Sequence, residues 1–380
     1  MDFIITKEQQ RMQKAAREFL KSKCTTDFVR AMEKDEIGFT DDFWESMAKL
    51  DWMALSVPET YGGVGAELLD LVFLLEEFGR ACPPGPYFST VVLGGLTISE
   101  FGNENQKRYL LPQVASGEKK LTLALTEHGS TRWDPYLISL RAEKKGGNYV
   151  LNGRKMFVPD AHVADFIIVA ARTSEADDCP EGITLFLLDA KATNLRPIPL
   201  KTIAGDKQFE LQFTDLSVSS SAIIHKPDEG SSCLSRILDI AAVCKCAEMV
   251  GGISKVLEMA SNYAMERCQF GKPIGSFQAI QHHCANMLIE LEGSRYITYK
   301  AAWMLGNGNG LFCDKIVSTA KAWVSDAYKK VVALGHQVQG GAAFMEEHDM
   351  QLFTRRAASW SVNFGDSDFH REKVIRSMGL

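Results

Sequence analysis

Leu121-Thr122-Leu123-Ala124-Leu125-Thr126 is the stretch at which the texture of the chain changes. Larger apolar side chains alternate there at period two, the pattern of a strand with distinct faces. Everything before it reads at helical period. Residues 7–23 place Met12, Ala15, Ala16, Phe19 and Leu20 on one face of an amphipathic helix. Thr40 is positioned to cap a helix carrying Phe43, Met47 and Leu50. Pro58-Glu59-Thr60-Tyr61-Gly62-Gly63-Val64-Gly65 forms a turn ahead of the apolar run Leu68 to Phe78. No strand precedes that turn and no Lys-Ser/Thr follows it, so it reads as a plain loop and not as a phosphate cradle.

Beyond Leu121 come further short β-like runs at Tyr149–Leu151, Phe166–Ala171, Ile183–Leu188 and Gln208–Phe213. Gly146-Gly147-Asn148 and Asn152-Gly153 supply turn signals between them. Strands at this spacing predict a compact β-domain ending near Ile224, before the loop Lys226–Ser232. From Cys233 the period is helical again. One helix holds Leu234, Ile237, Leu238 and Ala241 and continues towards Tyr263, and another runs from Gln278 to about Trp303. A third spaces Ile316, Ala320, Trp323, Ala327, Val331 and Leu334 by threes and fours. Long helices without intervening strands pack as bundles. The pattern therefore predicts an α+β, mostly α chain in three parts: a helical domain over 1–120, a β-domain over 121–230 and a helical bundle over 231–380.

Composition narrows the function. The 380 residues carry 42 Lys+Arg against 48 Asp+Glu, a net charge of -6 that disfavours nucleic acid as a partner. No apolar run approaches the ~18 residues of a membrane span, and Met1 to Phe19 lacks the apolar block of a signal peptide. Nine cysteines lie scattered from Cys24 to Cys313 without zinc spacing, so a cytoplasmic protein with reduced thiols is expected. His282-His283 beside Cys284 is the densest candidate for a metal. Neighbours on a helix point about 100° apart, so they make poor joint ligands, and no metal is expected. Nucleophile-elbow, phosphate-loop and dinucleotide signatures are absent.

Three segments remain. Thr126-Glu127-His128-Gly129-Ser130 ends a strand in small polar residues that suit a polar ring edge or a phosphate. Arg267-Cys268-Gln269-Phe270-Gly271-Lys272-Pro273-Ile274-Gly275-Ser276-Phe277-Gln278 joins two helices and sets an Arg near an aromatic, as a diphosphate linked to a stackable ring requires. Gln337-Val338-Gln339-Gly340-Gly341 closes a helix on close-approach glycines. Each alone reads as an ordinary cap or turn.

Taken together, in this order and spacing, they resemble the acyl-CoA dehydrogenase family over nearly the whole chain. Val57 to Gly63 is similar to that family's N-domain loop, Leu125-Thr126-Glu127 to its flavin-contacting strand, and Tyr263 to Gln278 to the segment that reaches a neighbouring subunit's FAD. The resemblance implies an N-terminal helical domain, a middle β-barrel and a C-terminal four-helix bundle, assembled as a homo- or heterotetramer. It implies FAD as cofactor, an acyl-CoA thioester as substrate and an electron-transferring flavoprotein as acceptor. In that chemistry a carboxylate removes the α-proton while the β-hydrogen leaves as hydride to flavin N5. Position by position, Leu125, Thr126 and Ser130 would meet the flavin. Phe157 and Val158 would lie beside its ring. Arg267, Phe270 and Gln278, with Gln337, Gly340 and Gly341, would clasp the diphosphate and adenine. Asp366 falls where a small hydroxyl residue meets the cofactor, and Thr90, Val91, Asn363 and Phe364 fall at the acyl pocket.

The chain departs from the family at the base. Where the pattern has Tyr-Glu-Gly-Thr, this sequence has Asn363-Phe364-Gly365-Asp366, and the alternative base position on the preceding long helix is Ala241. The flavin strand is also shortened, to Thr126-Glu127-His128-Gly129-Ser130-Thr131. Three readings stand open. The chain is the base-less subunit of a heteromer, with FAD-binding surface shared with a Glu-bearing partner. Or it is self-sufficient, with a base relocated to Asp160, Asp366, Asp368, Glu127 or His128, or with a different reaction such as 1,4-elimination on an alicyclic acyl-CoA. Or it binds flavin without dehydrogenating. An altered base suggests an altered reacting position, hence a bulky, cyclic or dicarboxylic acyl group.

Overall fold

The computed structural model describes residues 5–129, 134–174, 181–308 and 310–380. The chain forms two compact units. One gathers Met32–Glu67 and Pro84–Ala241 and holds the sheet, while the other gathers Met1–Ala31, Leu68–Pro83 and Ala242–Leu380 and is helical. N-terminal helices, a middle sheet and C-terminal helices follow one another along the chain, as the periodicity predicts.

In the sheet unit, α3 (Asp41–Ala48) starts where expected, with Thr40 accepting from the Phe43 amide at 3.3 Å. After α5 (Leu96–Phe101) and α6 (Glu104–Ala115) come eight strands: β1 (Leu121–Ala124), β2 (Arg141–Lys145), β3 (Asn148–Pro159), β4 (Phe166–Arg172), β5 (Ile183–Asp189), β6 (Leu195–Leu200), β7 (Gln208–Ser219) and β8 (Ile223–Ile224). Their order is β6-β7-β3-β2-β4-β5-β8, with β1 added parallel to β4 so that Leu121 faces Phe166. The sheet folds round a core that includes Leu151, Val158, Val169, Phe186 and Leu211. Gln106 of α6 donates to Ile223 O at 3.1 Å and fastens the helix to the end strand.

Three local readings are corrected. Asn152-Gly153 is a bulge inside β3 and not a turn: the register with β7 slips between Leu151 and Gly153. Gly153 has φ 144°, and a Cβ there would lie 2.6 Å from Leu140 Cδ1, so only glycine fits without a shift. Strand β6 carries Pro197 and Pro199, which hid it from a strand pattern; it lies at the sheet edge, where a missing N–H is tolerated. Strand β1 stops at Ala124, two residues short of Thr126, because side-chain and backbone donors from β3 take over the next carbonyls.

In the helical unit, α1 (Lys7–Lys23) buries Ala16 and Leu20, while Ala15 is exposed and sits off the packed face. The apolar α4 (Leu68–Ala81) packs against α7 (Gly230–Glu266, in this unit from Ala242) without room for side chains at the crossing. A Cβ on Gly79 would lie 1.8 Å from Glu248 O, and one on Gly251 would lie 1.9 Å from Glu76 O. Around it, Glu76 accepts from Arg295 at 3.0 Å and from Tyr299 Oη at 2.5 Å, and Glu77 accepts from Arg17 at 2.6 Å. These bonds tie α1 and α8 (Gln278–Gly306) to α4. The buried face of α9 (Gly310–Gln339) includes Ala320, Ala327 and Val331, as expected, and extends to Val317, Lys321, Val324 and Tyr328; Trp323 is 49% exposed. Helices α10 (Met350–Trp360) and α11 (Ser367–Ser377) complete the unit.

Candidate active site

In the sheet unit, the residues expected around a flavin ring converge where β1 ends and β3 bends. Leu125 and Thr126 are buried. The Met156 amide donates to Thr126 O at 2.7 Å, and Lys155 Nζ donates to Leu125 O at 3.0 Å. A second slip of register, between Lys155 and Val158, gives Phe157 a left-handed φ of 53° and leaves its ring 49% exposed beside the fully buried Val158. Thr126 Oγ1 is buried and has no hydrogen-bond partner among the described residues. A buried hydroxyl without a partner costs free energy, and here it fits a ligand whose edge carries both donors and acceptors, as a flavin ring does. Ser130 lies outside the described residues.

Glu127 holds this corner together. Its carboxylate pairs with Lys155 Nζ at 2.5 Å and accepts from the amides of Ser139 at 2.9 Å and Leu140 at 3.0 Å. Burial pushes its pKa up, but Lys155 and the hydrogen bonds outweigh that and hold it below the ordinary value. Glu127 is thus an ionised anchor, fully engaged. Against β1, Phe88–Gly95 forms a π-helical stretch buried from Ser89 on, a backbone irregularity that often marks functional positions. Ser89 Oγ donates to Asp160 Oδ2 at 2.6 Å, and the Leu121 amide donates to Thr90 Oγ1 at 3.3 Å. Thr90 and Val91 are therefore joined to the same corner as Phe157, and Asp160 is one of the ties.

In the helical unit, Arg267 leads into a hairpin of β9 (Cys268–Gln269) and β10 (Lys272–Pro273). Its tip, Phe270-Gly271, has φ 54° and 77°, a two-residue turn of the primed kind. The tip puts Phe270 out at 91% exposure, with Phe277 edge-on at 6.0 Å. Gln278 is exposed at the start of α8. Gln337 is exposed in the last turn of α9, and a Cβ on Gly340 or Gly341 would meet nothing within 4 Å, so the backbone there is open to close approach.

The loop between α10 and α11 carries the residues at the expected base position. Phe364 is buried, with φ 59°, and Asn363 is half-buried beside it. Asp366 caps α11, accepting from the Phe369 amide at 2.8 Å, and Asp368 pairs with Arg371 at 2.7 Å. Ala241 is fully buried on α7. Sequence reasoning missed two side chains that hold this loop, Lys321 and His370, both buried. The visible signal was a lysine on the apolar stripe of α9. Among the described residues no His/Cys/Asp/Glu cluster could hold a metal, and no helix is long and apolar enough to cross a membrane. Cys24, Cys233, Cys244, Cys246, Cys268 and Cys284 are free thiols.

Comparison with known proteins defines the class. The N-terminal, middle and C-terminal domain models of acyl-CoA dehydrogenases match residues 6–118, 122–216 and 228–379. The chain belongs to the acyl-CoA dehydrogenase family, whose cofactor is FAD. An acyl-CoA dehydrogenase of Bacillus subtilis is 31% identical, with 97% of each chain covered. The cyclohex-1-ene-1-carbonyl-CoA dehydrogenase of Geobacter metallireducens is 30% identical over 92% of this chain and 93% of its own. A solved variant of the Tcur3481-Tcur3483 steroid ACAD is 28% identical and superimposes with a TM-score of 0.87, covering 98% of both chains.

Proposed function

We propose that this chain dehydrogenates a bulky, cyclic or dicarboxylic acyl-CoA as one subunit of a heteromeric, FAD-dependent enzyme whose partner carries the glutamate base. The observation that carries this reading is that Phe364, at the expected base position, and Ala241, at the expected alternative one, are both buried. Neither side chain can accept a proton. Loss of a positioned base costs about 10²–10⁴ in rate, a deficit that a partner's carboxylate would remove. The acids considered as relocated bases are engaged elsewhere: Glu127 by Lys155, Asp160 by Ser89, Asp366 by the α11 cap and Asp368 by Arg371.

When bound, FAD supplies the hydride acceptor. The chain's part is to hold and orient. Thr126 Oγ1 offers a hydrogen bond at the ring edge, Phe157 covers a ring face, and Arg267, Phe270, Gln278, Gln337 and Gly341 receive the diphosphate and adenine across an interface. Phe364 makes the acyl side drier and narrower than a carboxylate would, and its backbone remains able to polarise a thioester. The likeness to a steroid ACAD with a paired name and to a dehydrogenase of a cyclohexene-carbonyl thioester supports both the partnered assembly and the ring-bearing acyl group. We take the assembly to be a tetramer that passes electrons to an electron-transferring flavoprotein.

A second reading, favoured by the Geobacter relative, is a self-sufficient enzyme performing 1,4-elimination on an alicyclic thioester. One titration separates the two. The chain is purified alone, its visible spectrum is recorded, and acyl-CoA thioesters are added without oxygen. Flavin that no thioester bleaches, but that bleaches once a Glu-bearing partner is co-expressed, is the expected result. Full bleaching of the chain alone overturns the subunit reading. In either setting Phe364→Glu introduces or raises α,β-dehydrogenation of simple acyl-CoAs; no gain in any setting removes Phe364 from the acyl pocket.

A further inference from the structure

Lys321 is fully buried in the middle of α9, and no carboxylate among the described residues pairs with it. Its three N–H donors are all used: Nζ reaches Ser325 Oγ at 3.0 Å, Ser361 O at 3.0 Å and Gly365 O at 2.7 Å. From α11, His370 Nε2 bonds Phe364 O at 2.9 Å, while Nδ1 faces Ser318 Oγ at 3.2 Å. The imidazole is neutral, because burial and then the Lys321 charge push its pKa down to about 3. Nε2 therefore carries the proton and donates to the carbonyl, and Nδ1 accepts from the serine hydroxyl.

Three carbonyls of one short loop, Ser361, Phe364 and Gly365, are thus drawn into the bundle interior by buried side chains. The same loop holds consecutive left-handed residues, Phe364 at φ 59° and Gly365 at φ 100°. A bulky residue in that region is strained and persists only where its surroundings over-determine it. An apolar side chain at 321 would fill the space without burying a charge. What the ammonium adds is a specific loop conformation.

Building on the thioester-site reading above, we propose that Lys321 is a positioning residue: by holding Ser361 O and Gly365 O it fixes the left-handed turn at Phe364-Gly365 and so the way residue 364 meets an acyl thioester. Because peptide units are planar and trans, turning these carbonyls inward sets the direction of the Gly365 and Asp366 amides and of the Phe364 side chain. The device has a pH signature. Burial lowers the Lys321 pKa to about 8, with Cys246 and Lys245 of α7, Asp366 of the loop and Lys329 of α9 as the charged or titratable groups acting on it, and with the neutral His370 beside it. A neutral amine has two N–H groups in place of three and no charge to strengthen its bonds to Ser361 O and Gly365 O, so its hold on the loop weakens as pH rises through that value.

The test uses the full FAD-loaded chain, in whichever assembly binds thioester. Crotonyl-CoA and cyclohex-1-ene-1-carbonyl-CoA serve as probes, read by the shift they cause in the flavin spectrum. Amide hydrogen exchange is followed over residues 361–367. Lys321→Met is expected to keep its flavin, to weaken thioester binding at least tenfold at pH 7 and to speed exchange in the loop at least tenfold. Binding by the unsubstituted protein should weaken between pH 7 and 9.5 relative to the variant, whose affinity stays flat. A lysine with a merely structural role would move the denaturation midpoint without changing that pH profile. Unchanged exchange and unchanged affinity in Lys321→Met overturn the proposal. If neither thioester perturbs the unsubstituted flavin, the function reading fails, and the exchange result alone decides whether Lys321 holds the turn. Lys321→Gln, which keeps two donors, replaces the Met variant if the latter does not fold; loop exchange intermediate between the wild-type rate and the tenfold increase supports the proposal, and wild-type exchange overturns it.

Discussion

At the scale of the residue, the site is built on charges that water never sees. Glu127 and Lys155 form a buried pair whose lysine also holds the Leu125 carbonyl, the residue before Thr126. Breaking such a pair by removing one partner costs about 3–5 kcal/mol, because the remaining charge is stranded. Glu127→Gln should therefore lower the free energy of unfolding in urea by about that amount. It should also reduce flavin retention, since the ammonium that orders the Leu125 carbonyl loses its counter-charge. A loss below about 1 kcal/mol would mean that the amide and water replace the pair at little cost. Thr126 could be found from the sequence because a strand ending in small polar residues is a local pattern. Lys155, Lys321 and His370 could not. Apart from Ser325, the partners of the two lysines lie 28 to 44 positions away, and His370 bonds a turn whose left-handed backbone leaves no mark in hydrophobic period.

At the scale of the element, periodicity located the long helices and most strands but not their faces or irregularities. Strand β3 reads as three residues in the sequence and runs for twelve, because two register slips break the alternation that would have revealed it. Those slips matter: the second turns Phe157 outward. The α9 face was read without Lys321, a lysine buried where only apolar residues were expected, and with Trp323, which is 49% exposed. The β9–β10 hairpin is the opposite case, two very short strands whose turn is marked by Phe270-Gly271 and whose side chains face solvent. Arg267 is exposed at its base. An exposed arginine without a structural partner changes stability by about 0.5 kcal/mol or less when truncated. Arg267→Ala should consequently leave the unfolding midpoint of the flavin-free protein in place while cutting bound flavin several-fold, measured as the ratio of visible to ultraviolet absorbance. Full flavin content in that variant would remove Arg267 from the cofactor site.

At the scale of the whole molecule, the buried bases that hold the 361–366 loop make stability depend on pH with a definite sign. His370 has its pKa pushed down to about 3 by burial, against 6.5 for an exposed imidazole. Between those values the unfolded chain binds a proton that the folded chain does not, so stability rises with pH across the window and is complete above 6.5. A 3.5-unit depression corresponds to at most about 4–5 kcal/mol, lost progressively as pH falls from 6.5 towards 3. Lys321 acts in a second window. Its folded pKa of about 8 lies below the 10.5 of an exposed lysine, so the cost of burying the ammonium, about 3 kcal/mol, is relieved as pH rises from 8 to 10.5. Global stability and loop order then move in opposite directions at alkaline pH, because relieving the charge weakens the hold of Lys321 on the turn. Urea unfolding between pH 4 and 7 should show a steep acid limb in the unsubstituted protein and a shallower one in His370→Gln, whose Nε2 takes the place of the ring Nε2 toward Phe364 O but does not titrate. Equal limbs in the two proteins would assign the acid sensitivity to carboxylates such as Glu127 and Glu258, whose partners hold their pKa values down.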